Sequence, residues 1–91
     1  MPNISFPDRS TPDADRLGVT FPADIDGHRI VCFISAEALQ DHFGARGTGG
    51  GELTRAFERN RSTIEAAARR KILFAGTAFA TGRVDLLTAD F

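Results

Sequence analysis

Between residues 17 and 34 apolar positions alternate with small or polar ones, stop at four turn-forming residues, and then resume as a β-branched and aromatic run. Leu17, Val19 and Phe21 lead into "DIDG", and "IVCFI" follows at residues 30 to 34. A period of two on both sides of a turn predicts a β-hairpin. In its second arm Ile30, Cys32 and Ile34 face one way while Val31 and Phe33 face the other, so both sides of that strand call for cover.

At Ser35 the period changes. Ser35 is a good N-cap for "AEALQDHF", Glu37 falls in the first turn where the helix dipole favours an acid, and Gly44 is placed to end a short helix. The linker "ARGTGGGE" is polar and glycine-rich, an expected mobile connection, with Glu52 opening a second, longer helix. From there Leu53, Ala56, Phe57, Asn60, Ile64, Ala67 and Ala68 fall on one stripe at about 100° per residue. After Arg70 the stripe fails, because Lys71 would enter it while Leu73 would join the arginines, so the helix is expected to end between Arg70 and Gly76. The tail "TGRVDLLTADF" alternates weakly around Val84 to Leu87 and predicts a last strand, and "NISFP" an edge strand stopped by Pro7. The order β-β-α-α-β gives an α+β domain: an antiparallel sheet, made of the N-terminal hairpin and the C-terminal strand, with two helices packed on one face.

Four stretches in this order carry a likeness: "SFPDRS" at 5 to 10, "VTFPA" at 19 to 23, "GHRIVCFIS" at 27 to 35 and "FERNRSTIEAAA" at 57 to 68. Together they resemble the small bacterial family catalogued as domain of unknown function 1488, which shows F-P-D near the start, a V-x-F-x-A strand, a strand ending in I-S or V-T before a helix, and F-x-x-x-R-x-x-I/L-x-x-x-A in the long helix. The likeness spans nearly the whole chain. It implies the fold and brings no activity, cofactor or catalytic residue with it.

The 91 residues suit one domain with one small core. An apolar fraction of 42% with 25% charged residues is far from the composition of disordered chains. Cys32 is the single cysteine, so no intrachain disulfide can form, and "MPNISFPDRS" lacks the pattern of a signal peptide. A cytoplasmic location is expected. "IVCFI" is far shorter than the roughly 20 residues that span a bilayer, which excludes a membrane segment there.

Charge is unevenly placed. Residues 1 to 45 carry −4 and residues 46 to 91 carry +3, within a total of −1. In the long helix Arg55, Arg59, Arg69 and Arg70 lie almost opposite the apolar stripe and would form a continuous basic strip. Contact with phosphates is one reading of that strip, and nucleic acid a partner it would fit. The favoured reading is a solvated face, because Glu58 and Glu65 flank the arginines and no aromatic platform accompanies them.

Catalytic chemistry finds little support. The glycine linker has neither the lysine and hydroxyl of a P-loop nor the preceding strand of a dinucleotide fingerprint. His28 and Cys32 stand four residues apart on one strand, about 13 Å at strand rise, too far to share a metal or a proton. His42 and Asp41, on the short helix, reach them only through the fold. Cys32 reads as a core residue, and no metal ligand set, cofactor motif or catalytic group is assigned. Asn60, the polar member of the stripe, is expected to clamp a backbone group, since an unpaired buried amide costs about 1–3 kcal/mol. The expectation is a non-enzymatic binding or accessory protein acting through protein–protein contacts with a partner of unknown identity. A homodimer is also expected, with Val31 and Phe33 at the contact, because a chain this short has little left to cover the second face of its sheet.

Overall fold

The computed structural model describes residues 3–13, 15–75 and 82–91. Its elements are β1 (Ile4–Ser5), β2 (Thr11–Asp13), β3 (Gly18–Ile25), β4 (His28–Ser35), α1 (Ala36–Phe43), α2 (Gly50–Arg59), α3 (Arg61–Ala75) and β5 (Arg83–Leu86), closed by a 3-10 turn at Thr88–Asp90. The hairpin is present as expected. Ile25 pairs with His28 around the two-residue loop Asp26-Gly27, whose φ values of 50° and 89° place both residues in the left-handed region that such tight hairpins require.

Among the described residues the sheet is five-stranded, and it is mixed rather than antiparallel throughout. β1 and β2 pair in turn with the outer edge of β3, leaving residues 21 to 23 unpaired there, and Pro22, which has no N–H to give, falls in that gap. β4 pairs with β3 on one side and with β5 on the other, and the β4–β5 pair is parallel, Val31 to Arg83 through Ile34 to Leu86. Parallel pairing needs a crossover of a dozen or more residues, and the helical layer between β4 and β5 supplies it. Strand alternation carries no information on direction, which is why the sequence left the sheet antiparallel.

The described residues form three α-helices, not two. Ser35 caps α1, its hydroxyl accepting from the Ala38 N–H at 3.1 Å, and Gly44 ends α1 with φ 76°. α2 begins at Gly50, two residues before Glu52, and the glutamate turns back to accept from the Arg46 N–H. The expected long helix is interrupted at Asn60 (φ −123°, ψ 23°), which separates α2 from α3. α3 then runs to Ala75, inside the expected window, while Gly76 lies outside the described residues. It continues past Arg70 because its buried row shifts to Ile64, Ala68 and Ile72, and because Lys71 reaches out of the helix to donate to the Asp85 carbonyl at 2.6 Å.

The main core lies on the face of the sheet that meets the helices. Val19, Phe21, Ala23 and Ile25 of β3, Ile30, Cys32 and Ile34 of β4, and Val84 and Leu86 of β5 pack with Leu39, Leu53, Ala56, Phe57, Ile64, Ala68 and Ile72. Each fully buried side chain of this size contributes roughly 1.5–3 kcal/mol. Phe6 joins this side, 6.2 Å from the Phe21 ring, which lies 4.9 Å from Phe57. Phe91 seals the other end against Phe43 at 5.0 Å and His42 at 5.7 Å. Phe6 and Phe91 thus thicken the helical layer and leave the opposite face uncovered.

Candidate functional site

The opposite face of the sheet is built by the alternate residues of the same strands. The register sets Thr11 beside Thr20 and Thr20 beside Phe33, Pro22 beside Val31 and Val31 beside Arg83, Asp24 beside Arg29, and Phe33 beside Asp85. Val31, in the middle, is 46% exposed, although it belongs to the most apolar run of the chain. Two shallow depressions flank it. One, of about 270 Å³, is lined by Arg9, Thr11, Thr20, Pro22 and Arg29, and the other, of about 380 Å³, by Asp13, Arg16, Thr20 and Arg83.

Phe33 has a different fate. It is only 3% exposed, because the Arg16 guanidinium lies 4.0 Å from its ring centroid. Arg16 is anchored in turn on Asp85, with contacts of 3.0 and 3.3 Å, and Arg83 reaches the same carboxylate at 3.2 Å. Of the two residues expected at a contact, Val31 is therefore open to one directly, whereas Phe33 presents Arg16 in its place. At the other end of β4, Arg29 pairs with Asp24, and this bond raises the guanidinium pKa further. Arg9, Arg16, Arg29 and Arg83 thus ring Val31, with Asp13, Asp24 and Asp85 among them. The sequence signal for this ring is the row Arg29-Val31-Phe33 on β4, whose alternation sets Val31 and Phe33 on one face, while Arg9, Arg16 and Arg83 join it only through the fold.

The expected arginine strip is shared between two helices. The break at Asn60 puts Arg55 and Arg59 on α2 and Arg69 and Arg70 on α3. Arg55 pairs with Glu52 at 3.1 Å, a bond that, with the Arg46 N–H, holds the Glu52 pKa below the ordinary range. Arg69 lies over the Phe6 ring at 5.4 Å.

Asn60 is a clamp: its side-chain amide donates to the Ala56 carbonyl at 2.9 Å and to the Phe43 carbonyl, the end of α1, at 3.4 Å. Arg61, next to it, ties three parts of the chain together. Its guanidinium donates to Glu58 at 2.8 Å, Glu65 at 2.7 Å and the Pro7 carbonyl at 2.6 Å, which ties the N-terminal segment to the start of α3.

The groups considered for chemistry stand apart. Cys32 is fully buried in the core, and burial pushes its thiol up to about 12. His28 is exposed at the start of β4, and the His42 Nε2 lies 3.1 Å from the Thr88 carbonyl, beside Asp41, which accepts from the Thr88 hydroxyl at 2.8 Å. Among the described residues, no three histidine, cysteine or acidic side chains converge as metal ligands, and no helix is long and apolar enough to cross a membrane.

A mixed sheet covered by helices on one face and open on the other is the architecture of this class of small α+β domain. The chain belongs to the family described as protein of unknown function (DUF1488), whose profile matches residues 4–87. Its fold is similar to the crystal structure of a DUF1488-family protein of unknown function from Shewanella loihica PV-4, with a TM-score of 0.80 and 23% identity over 91% of this chain and 90% of that one. No curated protein matches the chain.

Proposed function

We propose that this protein is a non-enzymatic, cytoplasmic binding or accessory protein, and that it acts through protein–protein contacts made by the open face of its sheet. The observation that carries the reading is the exposure of Val31, a central-strand residue, inside a ring of arginines. Interfaces favour an apolar centre with arginine around it, and arginine is enriched there while lysine is depleted. All four cations of this ring are arginine. The unreactive state of Cys32 and the separation of His28 and His42 support a binding role over a catalytic one, and a buried free thiol suits a reducing compartment.

A photo-crosslinking amino acid placed at position 31 tests this in cells. Crosslinks to protein from position 31, and none from the exposed Ser62 on α3, are the expected result. No crosslink from 31, or crosslinks to nucleic acid from positions 59 and 70, would move the function to the helical layer.

A further inference from the structure

We infer that the occupant of the open face is a second copy of the same chain, related by a two-fold axis that lies in the contact plane and crosses β4 at Val31. This rests on the open face being the contact surface. The ground for it is the way charge is laid out along β4. Two residues before Val31 stands Arg29, bonded to Asp24, and two residues after it stands Phe33 under Arg16, beside Asp85; Arg83 starts level with Val31 on β5 and reaches Asp85 with its guanidinium. At strand rise Arg29 and Phe33 are each about 7 Å from Val31, in opposite directions.

A two-fold axis across the strand at Val31 exchanges these two ends. The Asp24–Arg29 pair of one copy then faces the Arg16–Asp85–Arg83 group of the other, and Val31 meets Val31. Asp24 then lies toward Arg16 of the other copy and Asp85 toward Arg29 of the other copy, and the two ends of β4 do not meet their own kind; Arg83, level with the axis, keeps its guanidinium on Asp85. A partner of a single sign would fit worse: an acidic surface would oppose Asp13, Asp24 and Asp85, and a basic one the four arginines. Self-contact through one patch is the rule for two-fold dimers.

Size sets the strength. The face spans about 20 Å across the strands and about 25 Å along them, on the order of 500 Å² per copy. The pair would bury roughly 1,000 Å², at the lower limit for a specific interface, which points to association in the micromolar range.

Sedimentation equilibrium of the full chain from about 1 to 200 µM, at 0.15 M salt, is the test. The expected mass rises from 9.8 kDa towards twice that value. Val31→Arg is expected to weaken association at least tenfold, while Val31→Leu, which keeps the apolar centre, associates as the native chain does. Thermal melts of both variants at the lowest concentration check that each is folded. A native chain that stays monomeric at 200 µM overturns the dimer, as does a folded Val31→Arg variant that dimerises unchanged. The wider reading is judged separately: if the native chain is monomeric yet position 31 still crosslinks to another protein, the face is a contact surface and only the second copy is wrong.

Discussion

The Arg16 guanidinium lies over the Phe33 ring, 4.0 Å from its centroid, and helps bury a phenylalanine on the face of the sheet that has no helices. One side chain from the loop before β3 therefore does what a second layer does elsewhere, and Asp85 on β5 holds it in place. Replacing it by alanine removes a cation–π contact worth about 0.5–1 kcal/mol at an exposed site and an ion pair that adds less than about 1 kcal/mol. Arg16→Ala is expected to lower the unfolding free energy by about 1–2 kcal/mol in urea, and to increase binding of a hydrophobic dye as Phe33 becomes accessible. Unchanged dye binding would mean that Phe33 is covered by something other than Arg16.

Beneath the same ring, Gly18 has no room for a side chain. A Cβ there would stand against the Ile34 carbonyl oxygen and the Phe33 ring edge. The oxygen belongs to the paired strand and cannot swing away, so Gly18→Ala is expected to cost about 1–3 kcal/mol, in the range for overpacking. Chemical denaturation would read this directly, and a neutral result would show that β3 and β4 can shift apart without loss.

Arg61 joins three parts of the chain through donors of fixed geometry, to Glu58, to Glu65 and to the Pro7 carbonyl. Lysine keeps the charge but cannot reach all three at once. Arg61→Lys is expected to destabilise by about 1–3 kcal/mol, the scale of a charged hydrogen bond lost from a half-buried site. It should also speed amide exchange at Ile4, Ser5 and Thr11, the strands that depend on the N-terminal segment. Loss of stability with no change at those amides would confine Arg61 to the helices.

Asp90 predicts how stability depends on pH. Burial opposes its charged form, but the Leu87 N–H, at 2.7 Å, and the Lys71 ammonium, at 3.0 Å, outweigh this and hold its pKa below the ordinary value. A depressed folded pKa gives stability that is complete above the unfolded pKa, near 4, and lost as the pH falls through the folded one. Asp90→Asn should therefore be less stable than the native chain at pH 7, by about 1 kcal/mol after allowance for its exposure. Between about pH 4 and pH 2 the two should converge. Parallel curves through that range would show that Asp90 gives no acid-sensitive stability.

Much of the fold was legible because local chemistry decided it. The hairpin turn, the Ser35 cap and the Gly44 terminus each depend on residues within a few positions. The cap and the terminus stand where the pattern put them, while of "DIDG" only Asp26 and Gly27 form the turn and Asp24 and Ile25 continue β3. The stripe from Leu53 to Ala68 was also right in its buried members. What it hid was the break at Asn60, since an amide at the end of one helix and an amide in the middle of a longer one occupy the same place on a helical projection. The parallel pairing of β5 was not legible at all, for it depends on where three helices return the chain. The open face lay in plain view as the odd residues of β4. Its cover came from Arg16, a loop residue that no periodicity connects to Phe33.

The contact face itself is tested most directly by Val31→Cys. Cys32 is buried in the core with a thiol pushed up to about 12, so it stays silent at neutral pH and the new cysteine reports alone. With Val31 on the two-fold axis, mild oxidation at micromolar concentration is expected to give a disulfide-linked dimer rapidly and nearly completely, while Ser62→Cys on α3 gives little. Equal and slow crosslinking of the two variants would contradict the account, because it would place Val31 at no contact between copies.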